Sequence, residues 1–132
     1  MKKNFTVEQV KSALLKVEPK MTENQKRMLE AHYLHGTLSM ARLAENGGYT
    51  GGFRVANIQY GTLCGRIASE LGFVPEEGAD KTSTIATVKG HDTSGHAQWE
   101  MDKIVSDAIN ELNWFSDSAI AVEYNRSGMA KE

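Results

Sequence analysis

The chain has 132 residues, of which 40% are apolar and 24% charged, with a net charge of −2, an ordinary composition for one globular domain. Its single cysteine, Cys64, excludes an intramolecular disulfide framework and fits a reducing compartment. No apolar run approaches the ~18–20 residues of a membrane span. Met1-Lys2-Lys3-Asn4-Phe5 lacks the apolar stretch of a signal peptide, so a cytoplasmic location is expected.

The net charge hides an asymmetry. Residues 1–72 hold ten Lys/Arg against six Asp/Glu, and residues 73–132 hold five against eleven. The basic half suits a polyanion and the acidic half is repelled by one, while uneven but solvated surface charge accounts for the same counts.

In chain order, Thr6-Val7-Glu8-Gln9 reads as a capping box opening a first helix, with Val7, Val10, Leu14 and Val17 at helical spacing. Pro19 is expected to end it by denying the preceding residue an α conformation. Thr22-Glu23-Asn24-Gln25 repeats the capping signature for a second helix, which should run to about His35 with Gly36 as its stop. Thr37-Leu38-Ser39 leads into a short third helix from Met40 to about Glu45. The turn Asn46–Gly52 is rich in residues that tolerate positive φ. A longer fourth helix then spans about Phe53 to Leu71, its inward stripe made by Ala56, Tyr60, Leu63, Ile67 and Leu71. Gly61 and Gly65 in its middle each cost ~1 kcal/mol against Ala and are expected to leave a smooth patch for another backbone.

After the polar connector Pro75–Asp80, Thr84–Val88 and His96–Met101 read as the strands of a β-hairpin around the turn Lys89–Gly95. Ala97, Trp99 and Met101 alternate with His96, Gln98 and Glu100. Asp102 can cap a fifth helix carrying Ile104, Val105, Ala108, Ile109 and Leu112. Trp114 and Phe115 follow, and residues 116–132 form a polar tail around the apolar run Ala119–Val122. The end of that tail is expected to be disordered.

A short helix joined by a glycine turn to a longer one, with a hairpin next, is the order of a winged helix-turn-helix domain. The expected fold is therefore α+β: four N-terminal helices, a hairpin wing and a C-terminal helix. One domain over residues 1–115 would comprise an N-terminal helix (1–20), the helix-turn-helix region (21–72), the wing (82–101) and the last helix (102–115). The outward positions early in the fourth helix are Thr50, Arg54, Asn57 and Thr62, with Ile58 a misfit if exposed. Arg can grip guanine at two atoms, Asn can do the same for adenine, and hydroxyls can bind phosphate. Lys89 and His91 at the wing tip suit backbone contact, with Asp92 working against them. Residues 37–72 carry only Arg42, Arg54 and Arg66 against Glu45 and Glu70, a thin charge footprint for a DNA-binding module.

Residues 21–114 resemble an accessory domain that precedes the nuclease in HNH-type endonucleases and restriction-like proteins. The likeness is carried by Thr22 to Tyr33, Leu43-Ala44-Glu45, Gly48-Tyr49, Val55 to Leu63 and Gln98-Trp99-Glu100-Met101. The block from Asn57 to Gly61 is its most specific part. The resemblance implies a targeting or accessory module whose partner domain does the cutting. No nuclease follows the likeness here, so a free-standing copy is expected. It would be a small DNA-binding factor, or a decoy that engages a nuclease complex as small phage-type anti-defence proteins do.

Enzyme readings find less support. The hairpin and helix at 84–112 invite comparison with a ββα-metal nuclease core, and His91 and Asp92 are present. The following helix supplies only Asp102, Asp107 and Asn110, and no histidine. His32 and His35 lack a third and fourth ligand for a closed zinc site. Cys64 lies on the apolar stripe and reads as a small core residue. No cofactor, membrane or small-molecule substrate is expected. Two readings remain: nucleic-acid recognition through Thr50, Arg54, Asn57, Thr62, Lys89 and His91, or a protein-binding inhibitor or adaptor that uses Glu76, Glu77, Asp80, Asp107 and Glu111.

Overall fold

The computed structural model describes residues 3–115; the polar tail read at 116–132 lies outside the described residues. Helix α1, Val7–Val17, starts on a complete capping box, in which the Thr6 hydroxyl accepts from the Gln9 amide and the Gln9 side chain accepts from the Thr6 amide. Helix α2, Glu23–His35, repeats that reciprocal arrangement with Thr22 and Gln25. Each box satisfies two of the amides that a helix start leaves open. Pro19 does not act as expected, because Glu18 keeps a right-handed helical backbone. The chain instead tightens into a 3-10 turn over Glu18–Lys20, where a proline near the start costs no hydrogen bond.

Strand β1, Thr37–Ser39, precedes helix α3, Met40–Gly47. Helix α4, Phe53–Leu71, is followed by a 3-10 turn at Lys81–Thr84, strands β2 (Ala86–His91) and β3 (Ala97–Met101), and helix α5, Lys103–Leu112. The described residues therefore form an α+β fold, with five α-helices and one antiparallel sheet of order β1-β3-β2. This corrects the expected element count, which lacked β1 and both 3-10 turns. The first hairpin strand also lies later than expected, at Ala86–His91 in place of Thr84–Val88. Thr82 and Thr84 are instead buried in the 3-10 turn against α4.

In the sheet, Leu38 faces Trp99, and Trp99 faces Val88. The register slips between Val88 and His91, so β2 bulges as it enters the hairpin turn. The core gathers Val10 and Leu14 of α1, Met28 and Leu29 of α2, Leu43 of α3, Tyr60, Leu63 and Ile67 of α4, Ile85, and Val105 and Ile109 of α5. At Gly47, the end of α3 meets α2 so closely that an added Cβ would stand 2.7 Å from Met28 Cγ.

Three polar ties fix the elements that bear the candidate site. Buried Gln25 donates from its amide nitrogen to the Gln59 carbonyl, joining the start of α2 to α4. His32, also fully buried, lies 2.7 Å from the Tyr60 hydroxyl and 2.9 Å from the Trp99 carbonyl, joining α2, α4 and β3. Asp102 stands at the start of α5 without capping it through its side chain. Its carboxylate instead takes Lys3 at 2.6 Å and the Thr87 hydroxyl at 2.8 Å, tying the N-terminal segment to the base of the hairpin. Gly61 and Gly65 admit no backbone. An added Cβ at Gly61 would meet nothing within 4 Å, and one at Gly65 would meet the Lys81 side chain.

Candidate nucleic-acid interface

The segment between α3 and α4 is Gly48-Tyr49-Thr50-Gly51-Gly52. The Ser39 hydroxyl caps α3 at its start, and Gly48 closes it. Asn24 of α2 donates to the Gly47 carbonyl, which pins the turn to α2. No side chain caps α4, so the first amides of a 19-residue helix are left to solvent beside exposed Thr50.

Gly52 enters α4 at φ 91°, ψ −173°, a conformation open essentially to glycine alone. Gly52→Ala is therefore expected to cost about 1–3 kcal/mol in thermal or urea unfolding, although no neighbour would be touched. Gly51→Ala, at an ordinary φ in equally open space, should change stability little. Equal losses at both positions would refute the conformational argument.

Arg54 and Asn57 stand three residues apart on α4, with Ile58 beside them on the same face. Arg54 is exposed and forms no ion pair among the described residues; Asn57 is half-buried. Thr62 departs from this group. It sits further around the helix, half-buried, and its hydroxyl donates to the Ile58 carbonyl of its own helix. Ile58 is 64% exposed, and Phe53 and Val55 are also exposed, so the first turns of α4 present large apolar chains beside their one cation.

Lys89 and His91 of β2 are both exposed. Lys89 Nζ lies 3.9 Å from the Glu100 carboxylate, a solvent-exposed pair that neutralises little. Asp92 does more than oppose them, since its carboxylate accepts the Ser94 and His96 amides and shapes the wing turn. The His96 amide is the main cause holding that carboxyl below its usual range, with smaller help from the charges of His96 and Arg42. Phe53 meets the His96 ring edge-on at 5.5 Å, so the β2–β3 hairpin touches the start of α4.

Two arginines outside the expected set join this region. The Arg27 guanidinium lies beside Gly48, 3.5 Å from where a Cβ would stand, and pairs only weakly with Glu23 at 3.7 Å. Arg42 makes a similarly exposed pair with Glu45 at 3.6 Å. In the sequence both look like solvated helix charges; the position of α2 against the turn gives Arg27 its place.

The acidic residues considered for protein binding are not equivalent. Glu76, Glu77 and Asp80 are exposed, and Asp80 also caps the second 3-10 turn. Asp107 is held by Lys103 at 2.8 Å and Glu111 by Lys11 at 3.3 Å. His32 has both ring nitrogens engaged, and burial pushes the Cys64 thiol up, away from nucleophilic use. Among the described residues no three His, Cys, Asp or Glu side chains are grouped to hold a metal ion, and no helix is long and apolar enough to cross a membrane. In comparisons with protein-family models, curated proteins and solved structures, none matches this chain.

Proposed function

We propose that the chain is a non-catalytic winged helix-turn-helix domain that recognises duplex DNA, with α3 supporting, α4 recognising and the β2–β3 hairpin as the wing. The observation that carries this reading is the pair of arginines, Arg27 of α2 and Arg54 of α4, that flank the one turn with uncapped helix amides, with the charge of Arg42 on α3 reaching the β2–β3 turn. Support for the winged arrangement comes from the sheet order, since β1 ties the hairpin to the segment that enters the helix pair. Thr50 and the turn amides would meet phosphate, Arg54 and Asn57 base edges, and Arg27, Arg42, Lys89 and His91 the flanking backbone. The likeness to accessory domains of HNH-type endonucleases agrees with a module that targets without cutting.

Anisotropy titration of the full chain against random duplex DNA at two salt concentrations tests this. Affinity should rise steeply at low salt, because each neutralised phosphate adds about 0.9 to the logarithmic salt slope. Arg54→Ala should weaken binding by about 1–3 kcal/mol or relax sequence preference. No binding at low salt would overturn the DNA reading.

A second reading is favoured by a different observation, the exposure of Phe53, Val55 and Ile58 around Arg54. Aromatic and aliphatic chains beside an arginine suit the centre of a protein interface. On that reading α4 docks on a protein such as a nuclease complex, as an inhibitor or adaptor. The acidic residues Glu76, Glu77, Asp80, Asp107 and Glu111 would add charge to that contact, the last two from within exposed ion pairs.

A further inference from the structure

Beyond the turn, α4 borders an open crevice of about 430 Å³ against its C-terminal half and the segment that follows it. Arg66, on its rim, stands 12 residues past Arg54, about 18 Å further along the helix axis. The crevice is therefore separate from the candidate DNA face, and the inference does not depend on that reading.

Its walls are apolar. Ala68 and Phe73 are nearly buried, while Val74 is 69% exposed beside Pro75, the most exposed large apolar side chain among the described residues. Two cations flank these walls. Arg66 donates to the Lys20 carbonyl at 3.3 Å, which anchors its guanidinium. Lys81 lies across α4 at Gly65, where an added Cβ would come within 3.1 Å of Lys81 Cδ and 3.6 Å of Nζ. The missing side chain at Gly65 is what lets the lysine stem lie against the helix, and this gives that mid-helix glycine a purpose. Neither Arg66 nor Lys81 forms an ion pair among the described residues, and no acidic side chain lines the crevice.

We propose that this crevice docks a peptide segment of a partner protein that places an aliphatic side chain between Phe73, Val74 and Pro75 and a carboxylate at Arg66 and Lys81. Charge complementarity selects the carboxylate, because two cations border the crevice and neither has an acidic partner among the described residues. The apolar walls select a peptide over a nucleic-acid backbone, whose sugar and phosphate have nothing to bury against Val74 and Phe73.

The test titrates the isotope-labelled full chain with a blocked hexapeptide carrying leucine between two glutamates, followed by amide chemical shifts. Shifts should concentrate at residues 62–69 and 73–81. Replacing both glutamates by glutamine, or combining Arg66→Gln with Lys81→Gln, should each weaken binding at least about tenfold, the loss of about one charge-assisted contact. Lys81 is exposed and Arg66 half-buried, bonded to the Lys20 carbonyl, so an unchanged amide spectrum elsewhere is required to verify the fold of the double variant. Three outcomes would overturn the proposal: no shifts at saturating peptide, equal binding of the glutamine peptide, or the same amides shifting with a short DNA duplex in place of the peptide.

Discussion

Acidification from pH 6.5 to about 4 is expected to remove about 3 kcal/mol of stability through one side chain, His32. Its ring is fully buried between α2, α4 and β3. The Trp99 carbonyl can only accept, so Nε2 carries the proton and donates to it; Nδ1 then accepts from the Tyr60 hydroxyl. Burial is the main cause that lowers the imidazole from 6.5 to about 4, and the Trp99 carbonyl and the Asp102 charge only partly oppose it. The fold holds the neutral ring, so the unfolded chain takes up the proton first as pH falls. The contribution is whole above 6.5, shrinks through the interval, and is spent below about 4, where both states are protonated. Urea unfolding across this interval measures it, and His32→Gln should be less stable at neutral pH yet show a flatter profile. An equally steep profile in the variant would assign the loss to other groups.

The same residue marks the limit of what the sequence makes legible. His32 reads there as a ring beside the apolar anchors of α2, and nothing local indicates that both nitrogens are satisfied. Its partners lie 28 and 67 residues away, on a helix and a strand that only the finished fold brings to it. The helix starts were plain because a capping box is a local device: Thr6 with Gln9 and Thr22 with Gln25 need only three residues of separation. Strand β1 was hidden for the opposite reason. Three residues hold no alternation to read, and their partners are Gln98, Trp99 and Glu100. The hairpin can be anticipated from the alternation at 96–101, but a 3-10 turn takes Lys81–Thr84, so its first strand starts only at Ala86 and runs past the bulge after Val88 to His91.

Within the candidate interface, Thr50 and Arg54 were readable because an exposed turn and a helix start are defined by near neighbours. Arg27 was not, since its closeness to Gly48 depends on how α2 packs against the end of α3, where Gly47 meets Met28. At Thr62, residue type and local setting point different ways. Residue type suggested a phosphate contact, whereas its hydroxyl is committed to its own helix and its position lies toward the crevice. Periodicity identifies which face of α4 is free, but only packing shows which free positions stand near the wing.

Tyr60→Ala should produce the largest loss of stability of any substitution considered, about 3–5 kcal/mol or more. The ring is fully buried at the centre of α4, and its hydroxyl is the donor His32 requires. Burial also pushes that phenol well above its ordinary range, so it stays protonated and able to donate. Removing the ring opens a cavity among Leu63, Ile67, Met28 and the other core side chains, and leaves Nδ1 of His32 without its donor. Tyr60→Phe separates the two causes, because it keeps nearly all the volume and deletes only the hydroxyl. Its cost should be about 1–3 kcal/mol, the penalty for a buried acceptor left unsatisfied. A phenylalanine variant as stable as the parent would show that the tie between α4 and His32 contributes shape alone. A loss close to that of alanine would mean that the hydrogen bond, more than the packing of the ring, joins α4 to α2 and the sheet.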